Sequence, residues 1–212
     1  MTDEQRRLAD EQRKRTFIAL NRKPKGWATA AERHKRAADF LYDIGFRGAN
    51  RTFEHPSGSR EIKGQEAQDW YDAEMLTEYG LLAGLAIECL LKACCVVVNP
   101  ELVTEEEVTQ SLRGHKQTGF AELCCLVLTD EESAILEHFT EEVLNGKYPG
   151  PLKAKHLAYT HSEVFNTVRD REKMDAIYNR VWQHLEAIQD QSQPDTKDYI
   201  FDLPFPSGGI SQ

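Results

Sequence analysis

Several absences narrow the chemistry of this 212-residue chain before any residue is given a role. There is no G-x-G-x-x-G run and no Walker-type lysine, so the glycines build no phosphate-cradling loop. There is no H-E-x-x-H pattern, and the five cysteines provide no C-x-x-C pair, so the usual zinc spacings are missing. Cys94 and Cys95 are neighbours, as are Cys124 and Cys125, while Cys89 is single. An odd count in that arrangement does not suggest a disulfide framework. Adjacent cysteines on a helix diverge by about 100° around its axis, which makes a shared metal awkward. Buried free thiols acting as small apolar residues are expected, with no metal and no cofactor. No alternating strand pattern, internal repeat or low-complexity tract is evident. The first fifteen residues are charged throughout and lack the apolar core of a secretion signal, so a cytoplasmic protein is expected.

What is present points to helices. With 40% apolar and 29% charged residues the composition is that of a globular protein, with length for one domain and extra arms. The run Gly80 to Val98, GLLAGLAIECLLKACCVVV, is apolar on nearly every side except for Glu88 and Lys92. Such a helix belongs in a core or a membrane. Two charges near its middle would each cost about 2.5–3.5 kcal/mol on the insertion scale. They stand at i and i+4 in the favoured order, so they neutralise each other. A buried central helix carrying one internal ion pair is therefore expected, with no membrane span.

Ser/Thr-x-x-Glu/Gln patterns, which satisfy two orphan amides reciprocally, occur at Thr2/Gln5, Thr29/Glu32, Thr104/Glu107, Thr129/Glu132 and Thr160/Glu163. Gly45, Gly114 and Gly146 read as left-handed stops, and Asn99-Pro100 closes the central helix. The resulting map has helices over 2–20, 29–44, 66–98, 104–113, 118–128, 130–145 and 161–190. In the second, Ala37, Phe40, Leu41 and Ile44 are expected to face inward. Phe120, Leu123, Cys124 and Val127 make the stripe of 118–128, and Ile135, Leu136, Phe139 and Val143 that of 130–145. Ile177, Val181, Leu185 and Ile188 make the stripe of the last helix. Residues 50–65 read as a loop and 146–151 as a tight turn. Trp27, Trp70 and Trp182 read as packing residues.

The expected division is a basic N-terminal helical extension and loop (1–65), a helical bundle (66–192) and a tail (193–212). Residues 1–60 hold 14 Lys/Arg against 8 Asp/Glu, a balance of +6, while the remainder is −15. The basic arm is expected to lie against the acidic body, its own or a second subunit's, with a nucleic-acid backbone as the alternative. Tyr199, Ile200, Phe201, Leu203 and Phe205 give the tail an apolar content that predicts docking.

The segment AGLAIECLLKA, then GHK, then KYPG resembles HEPN domains (higher eukaryotes and prokaryotes nucleotide-binding). The likeness is to small bacterial members with a GxxxECxLKA … GHxL … RYP-like pattern, and it covers about residues 66–190. Gly84, Glu88, Cys89, Leu91, Lys92 and Ala93 fit the first block, Gly114 and His115 the second, Tyr148 and Pro149 the third. The resemblance implies an all-α, up-and-down helical bundle, frequently a homodimer. It also implies one of three roles: a metal-independent ribonuclease, a nucleotide or RNA binder, or the partner of a nucleotidyltransferase in bacterial defence or toxin–antitoxin-like systems. The ribonuclease members carry an arginine and a histidine separated by four to six residues. Here Arg180-Val-Trp-Gln-His184 and Arg51-Thr-Phe-Glu-His55 have three between, and Lys147 stands where related sequences have arginine. Lysine keeps the charge but loses the planar fork.

Two constellations follow. Glu88, Lys92, His115, Lys147 and Tyr148 would join an acid, two ammonium groups, an imidazole and a phenol, able to hold a nucleotide phosphate or position RNA. The competing reading is a structural network in which buried charges are paired. Arg180 and His184, at i and i+4, supply a phosphate-binding cation and a titrating base, the types that metal-free RNA cleavage needs. Their competing reading is a solvated pair on the outer face of the last helix. His34, His55, His138, His156 and His161 form no metal pattern. A non-catalytic dimeric interaction module remains the alternative to either site.

Overall fold

The computed structural model describes residues 2–54, 64–145 and 167–192. Those residues form an all-α bundle: α1 (Asp3–Asn21), α2 (Pro24–Glu54), α3 (Gln65–Val98), α4 (Gln110–Arg113), α5 (Gln117–Leu123), α6 (Asp130–Asn145) and α7 (Thr167–Ser192), with a 3-10 turn at Pro100–Leu102. The sole strand-like feature among them is an isolated bridge between Val103 and Val108. The expected Thr160/Glu163 cap, the Gly146 stop, the 146–151 turn and the tail lie outside the described residues.

α3 is the axis. It is long and apolar enough to cross a membrane, yet 67% of its most apolar stretch is buried inside the protein. α2, α5, α6 and α7 surround it. Ala83, Ala86, Ile87, Leu90, Leu91, Ala93, Cys94 and Cys95 are fully buried. α3 stops at Asn99 as expected: proline follows, and the Asn99 amide side chain donates to the Leu123 carbonyl at 3.2 Å.

The second helix departs from expectation. It runs from Pro24, a residue suited to a first helical turn, so Thr29 lies inside it rather than capping it. It also passes through Gly45 and ends at Glu54, within the segment expected to be a loop. Gly45 and Gly48 are points of close approach rather than stops. A Cβ on Gly45 would come 2.7 Å from the Leu76 side chain, and one on Gly48 would come 2.6 Å from the Ala73 amide. α2 and α3 thus form an antiparallel hairpin pressed together on small residues, with Ala28, Ala31, Ala38 and Tyr42 inward. The expected stripe was out of phase. Ala37 is exposed, Leu41 and Ile44 are half-buried, and Phe40 is 65% exposed. Helices this close leave no room for a phenyl ring between them. The boundary at residue 65 consequently falls between two helices that pack along their length.

The remaining connections follow local chemistry. Thr2 and Gln5 form a reciprocal cap, and Thr129 with Glu132 caps the helix that follows it. Thr104 accepts from the Glu107 amide at 3.0 Å, but this closes a turn under the Val103–Val108 bridge, and the helix there covers only Gln110–Arg113. Gly114 does end that helix, though with φ −67° rather than left-handed. α5 ends early because Cys125 takes φ 59°, a left-handed turn that places Val127 in solvent at 81% exposure. The expected stripe through Val127 therefore breaks after Cys124. α1 buries no residue. It meets the body through Lys14 and Glu106 at 3.4 Å, and Arg22 Nε donates to the Pro100 and Val103 carbonyls at 3.1 and 2.9 Å. The basic arm therefore touches its own body.

Candidate functional site

Glu88 and Lys92 lie inside the bundle, one turn apart on α3, with Lys92 Nζ donating to Glu88 Oε1 at 2.8 Å. The other carboxylate oxygen meets His115 Nδ1 at 2.9 Å. A carboxylate accepts only, so that nitrogen carries the proton. The turn between α4 and α5 delivers His115 across the 27 positions separating it from Glu88. Its side chain is 30% exposed, against 4% for Glu88, so the network reaches solvent on the histidine side. The Lys92 ammonium also lies 5.0 Å from the Phe120 ring centroid and 5.6 Å from that of Trp27. Desolvated cation–π contacts of this kind are worth about 2 kcal/mol.

Three neighbours complete the surroundings, and the sequence singled out none of them as part of a site. Trp27 comes from α2, where its indole N–H donates to the Asn21 carbonyl at 2.8 Å. His34, also on α2, feels the Glu88 charge; burial lowers its pKa and Glu88 opposes that shift. Gln117, fully buried, donates through Nε2 to the Gly84 carbonyl at 3.0 Å, while its Oε1 has no hydrogen-bond partner among the described residues. Gly84 is tight against α6, where a Cβ would meet Val143 at 2.7 Å and the Phe139 carbonyl at 2.8 Å. An antiparallel α2–α3 pairing would have placed His34 near Glu88, but the misphased α2 stripe concealed it.

Lys147 and Tyr148 lie outside the described residues, so the five-residue constellation is seen here as Glu88, Lys92 and His115.

Arg180 and His184 have other partners. Arg180 is salt-bridged to Glu132 and donates to the Val127 carbonyl. His184 Nε2 donates to the Cys124 carbonyl at 2.9 Å. Both therefore fasten the 124–129 turn to α7, rather than standing as a solvated pair.

Beneath that turn lie three buried thiols that reading adjacent cysteines separately did not bring together. Cys94 and Cys95 diverge on α3 and donate to the Val181 carbonyl at 3.8 Å and the Phe120 carbonyl at 3.3 Å, yet both feel the Cys124 thiol, which with burial pushes both well up. Cys124, whose thiol donates to the Ala121 carbonyl at 3.5 Å, is pulled down by its two thiol neighbours, with His184 contributing. Cys89 is pushed up to about 11 by burial first and Glu88 second. Cys125 is exposed. Among the described residues no cluster of His, Cys, Asp or Glu is arranged to hold a metal ion.

A second charged system joins α2 to α7. Lys35 bridges Asp39 at 2.6 Å and Asp175 at 2.8 Å, and Arg171 bonds Asp43 at 2.8 Å while stacking over Tyr42 at 4.6 Å. The Tyr79 hydroxyl is buried without a hydrogen-bond partner among the described residues, and burial pushes its pKa up, with Asp175 and Asp39 adding to it. A cavity of about 210 Å³ between α6 and α7 is lined by Glu131, Ile135, His138, Phe139 and Lys173, none of them part of the Glu88 network.

Compared with protein-family models, with curated proteins and with solved structures, the chain has no match.

Proposed function

We propose that this chain is a HEPN-like, cytoplasmic protein that binds a nucleotide or RNA, as a homodimer, in a bacterial defence or toxin–antitoxin-like system. A nucleotidyltransferase-type partner belongs to the same reading. One observation carries it. Glu88, Lys92 and His115, drawn from two separate blocks of the sequence pattern, meet at 2.8 and 2.9 Å on the interior of the bundle. Glu88 and Lys92 set the ring position of His115, and His115 is the member of the trio that solvent reaches. Lys147 and Tyr148 are the further ligand contacts in this proposal.

The test is a titration of labelled ATP and GTP into the full chain and its His115→Ala variant. At least a tenfold loss of affinity is expected at a temperature where both chains are folded, alongside the lowered melting that follows from leaving a buried Glu88 oxygen without its partner. Unchanged affinity with lowered melting would leave the network as scaffolding and sink the proposal.

A second reading, a non-catalytic dimeric interaction module, is favoured by Val127 and Tyr71, apolar side chains 81% and 62% exposed. Sedimentation of Val127→Lys and Tyr71→Lys variants tests it: dimer loss supports it, and a parent that is monomeric ends it. The ribonuclease reading requires Arg180 and His184 to leave the 124–129 turn before they act on RNA, so we place it last.

A further inference from the structure

The outward face of α2 plays no part in the network above, and its composition is unusual. At about 100° per residue, Arg33, Arg36, Phe40, Arg47 and Arg51 all fall within about 40° of a single line along the helix. From Arg33 to Arg51 that line runs about 27 Å, at 1.5 Å per residue. Phe40 stands near its middle, 65% exposed. α3 covers the opposite side through Ala38, Gly45 and Gly48, and α7 flanks one edge through Arg171 and Asp175.

Two of the four arginines on this line, Arg33 and Arg47, are in no ion pair among the described residues, and the other two are paired but remain exposed. Arg33 has no ion-pair partner among the described residues, and Arg47 Nε donates to its own Asp43 carbonyl at 2.9 Å. Arg36 pairs with Glu32 and Arg51 with Asp69, yet their side chains remain 59% and 52% exposed. Asp43, the one exposed acid among the residues of α2 whose burial is described, is held by Arg171. Arg47 and Arg51, with Ile44 and Asp72, border a cavity of about 330 Å³ at one end of the ridge.

We propose that this ridge is a binding surface for single-stranded RNA. The arginine forks take phosphate oxygens in pairs, and Phe40 offers a face for an unpaired base. The chemistry favours a single strand because a duplex keeps its bases stacked inside, where Phe40 has none to meet. The surface is distinct from the Glu88 network, so the two proposals fail separately.

The experiment is fluorescence anisotropy of the full chain with a labelled, unstructured RNA of about 12 nucleotides, within the range of known single-strand sites. For three or four phosphates the slope of log affinity against log salt should be about −2 to −3, at roughly −0.7 each. An Arg33→Glu/Arg47→Glu double variant should bind at least tenfold more weakly, its slope flatter by about 1.4. Phe40→Ala should lose roughly tenfold with the slope unchanged.

RNA binding that is identical in parent and variants would overturn the ridge and leave the nucleotide reading standing. No RNA binding by the parent, or equal binding of a duplex with Phe40→Ala silent, would also overturn it. So would displacement of RNA from parent and double variant alike by a peptide of residues 193–212. If the double variant changed only sedimentation, the ridge would be an interface between copies, and the RNA proposal would fall.

Discussion

The Glu88–Lys92–His115 network and the Arg180/His184 pair are built from similar residue types, and the bundle puts them to different use. In the first, side chains answer one another inside the protein, with an ammonium sandwiched near Trp27 and Phe120. In the second, each side chain reaches a main-chain carbonyl of one turn near the surface. Buried charge has no water to fall back on, so every member of the first group depends on the others. The second group replaces water contacts with carbonyl contacts, a smaller net gain. Residue identity alone therefore says little about what a histidine beside a cation does; burial decides.

The largest expected effect is on the buried side. Lys92→Met leaves Glu88 without its ammonium and should destabilise the chain by about 3–5 kcal/mol in urea unfolding. A loss under about 1 kcal/mol would mean that the interior is wetter than its burial implies. A Glu88→Leu/Lys92→Met double variant, which removes both charges, should recover most of that loss, since apolar replacements of buried pairs are often neutral or stabilising. If the double variant is as unstable as the single, His115 and not the ion pair is the dependent partner.

On the surface side, Arg180→Ala and His184→Ala should each cost about 1 kcal/mol, with Arg180 discounted because its side chain is 37% exposed. Their signature should be local: faster amide exchange over residues 124–129, with α3 protection unchanged. Global loss of protection would erase the contrast drawn above.

The smallest effect is a pH slope. Burial lowers the pKa of His34 from 6.5, with Glu88 opposing. The unfolded chain then takes up the proton first as pH falls, so stability decreases with acid, beginning near 6.5. His34→Gln should flatten that slope in unfolding curves between pH 7.5 and 5.5. Glu142, raised from 4.5 by burial, works with the opposite sign: stability falls as pH rises above 4.5. A steeper slope in the His34 variant would contradict the assignment.

Much of the fold was legible in the sequence. An all-round apolar run with one i, i+4 ion pair has few solutions other than a central helix, and Asn99-Pro100 marks where it must end. The Thr129/Glu132 cap and the Leu136, Phe139, Val143 stripe are likewise local and were readable. α2 was misread for an equally physical reason. Bulk alone predicts that Phe40, Leu41 and Ile44 face inward, whereas the hairpin closes on alanine and glycine and leaves Phe40 outside. That error hid Trp27 and His34 as neighbours of Lys92 and Glu88. Val127 was misplaced because Cys125, a residue with no special turn propensity, adopts the left-handed angle.

By itself the sequence determined the helical class, the central position of α3 and the need for Glu88 and Lys92 to compensate each other, because periodicity, caps and the cost of isolated buried charge act within one or two turns. Only the tertiary structure decided which side of α2 faces the core, that His34 stands near Glu88, that three thiols meet under one turn, and that Arg180 and His184 serve that turn. Those outcomes depend on how closely helices distant in sequence approach, and interhelical distance is set by packing among side chains that no local pattern pairs.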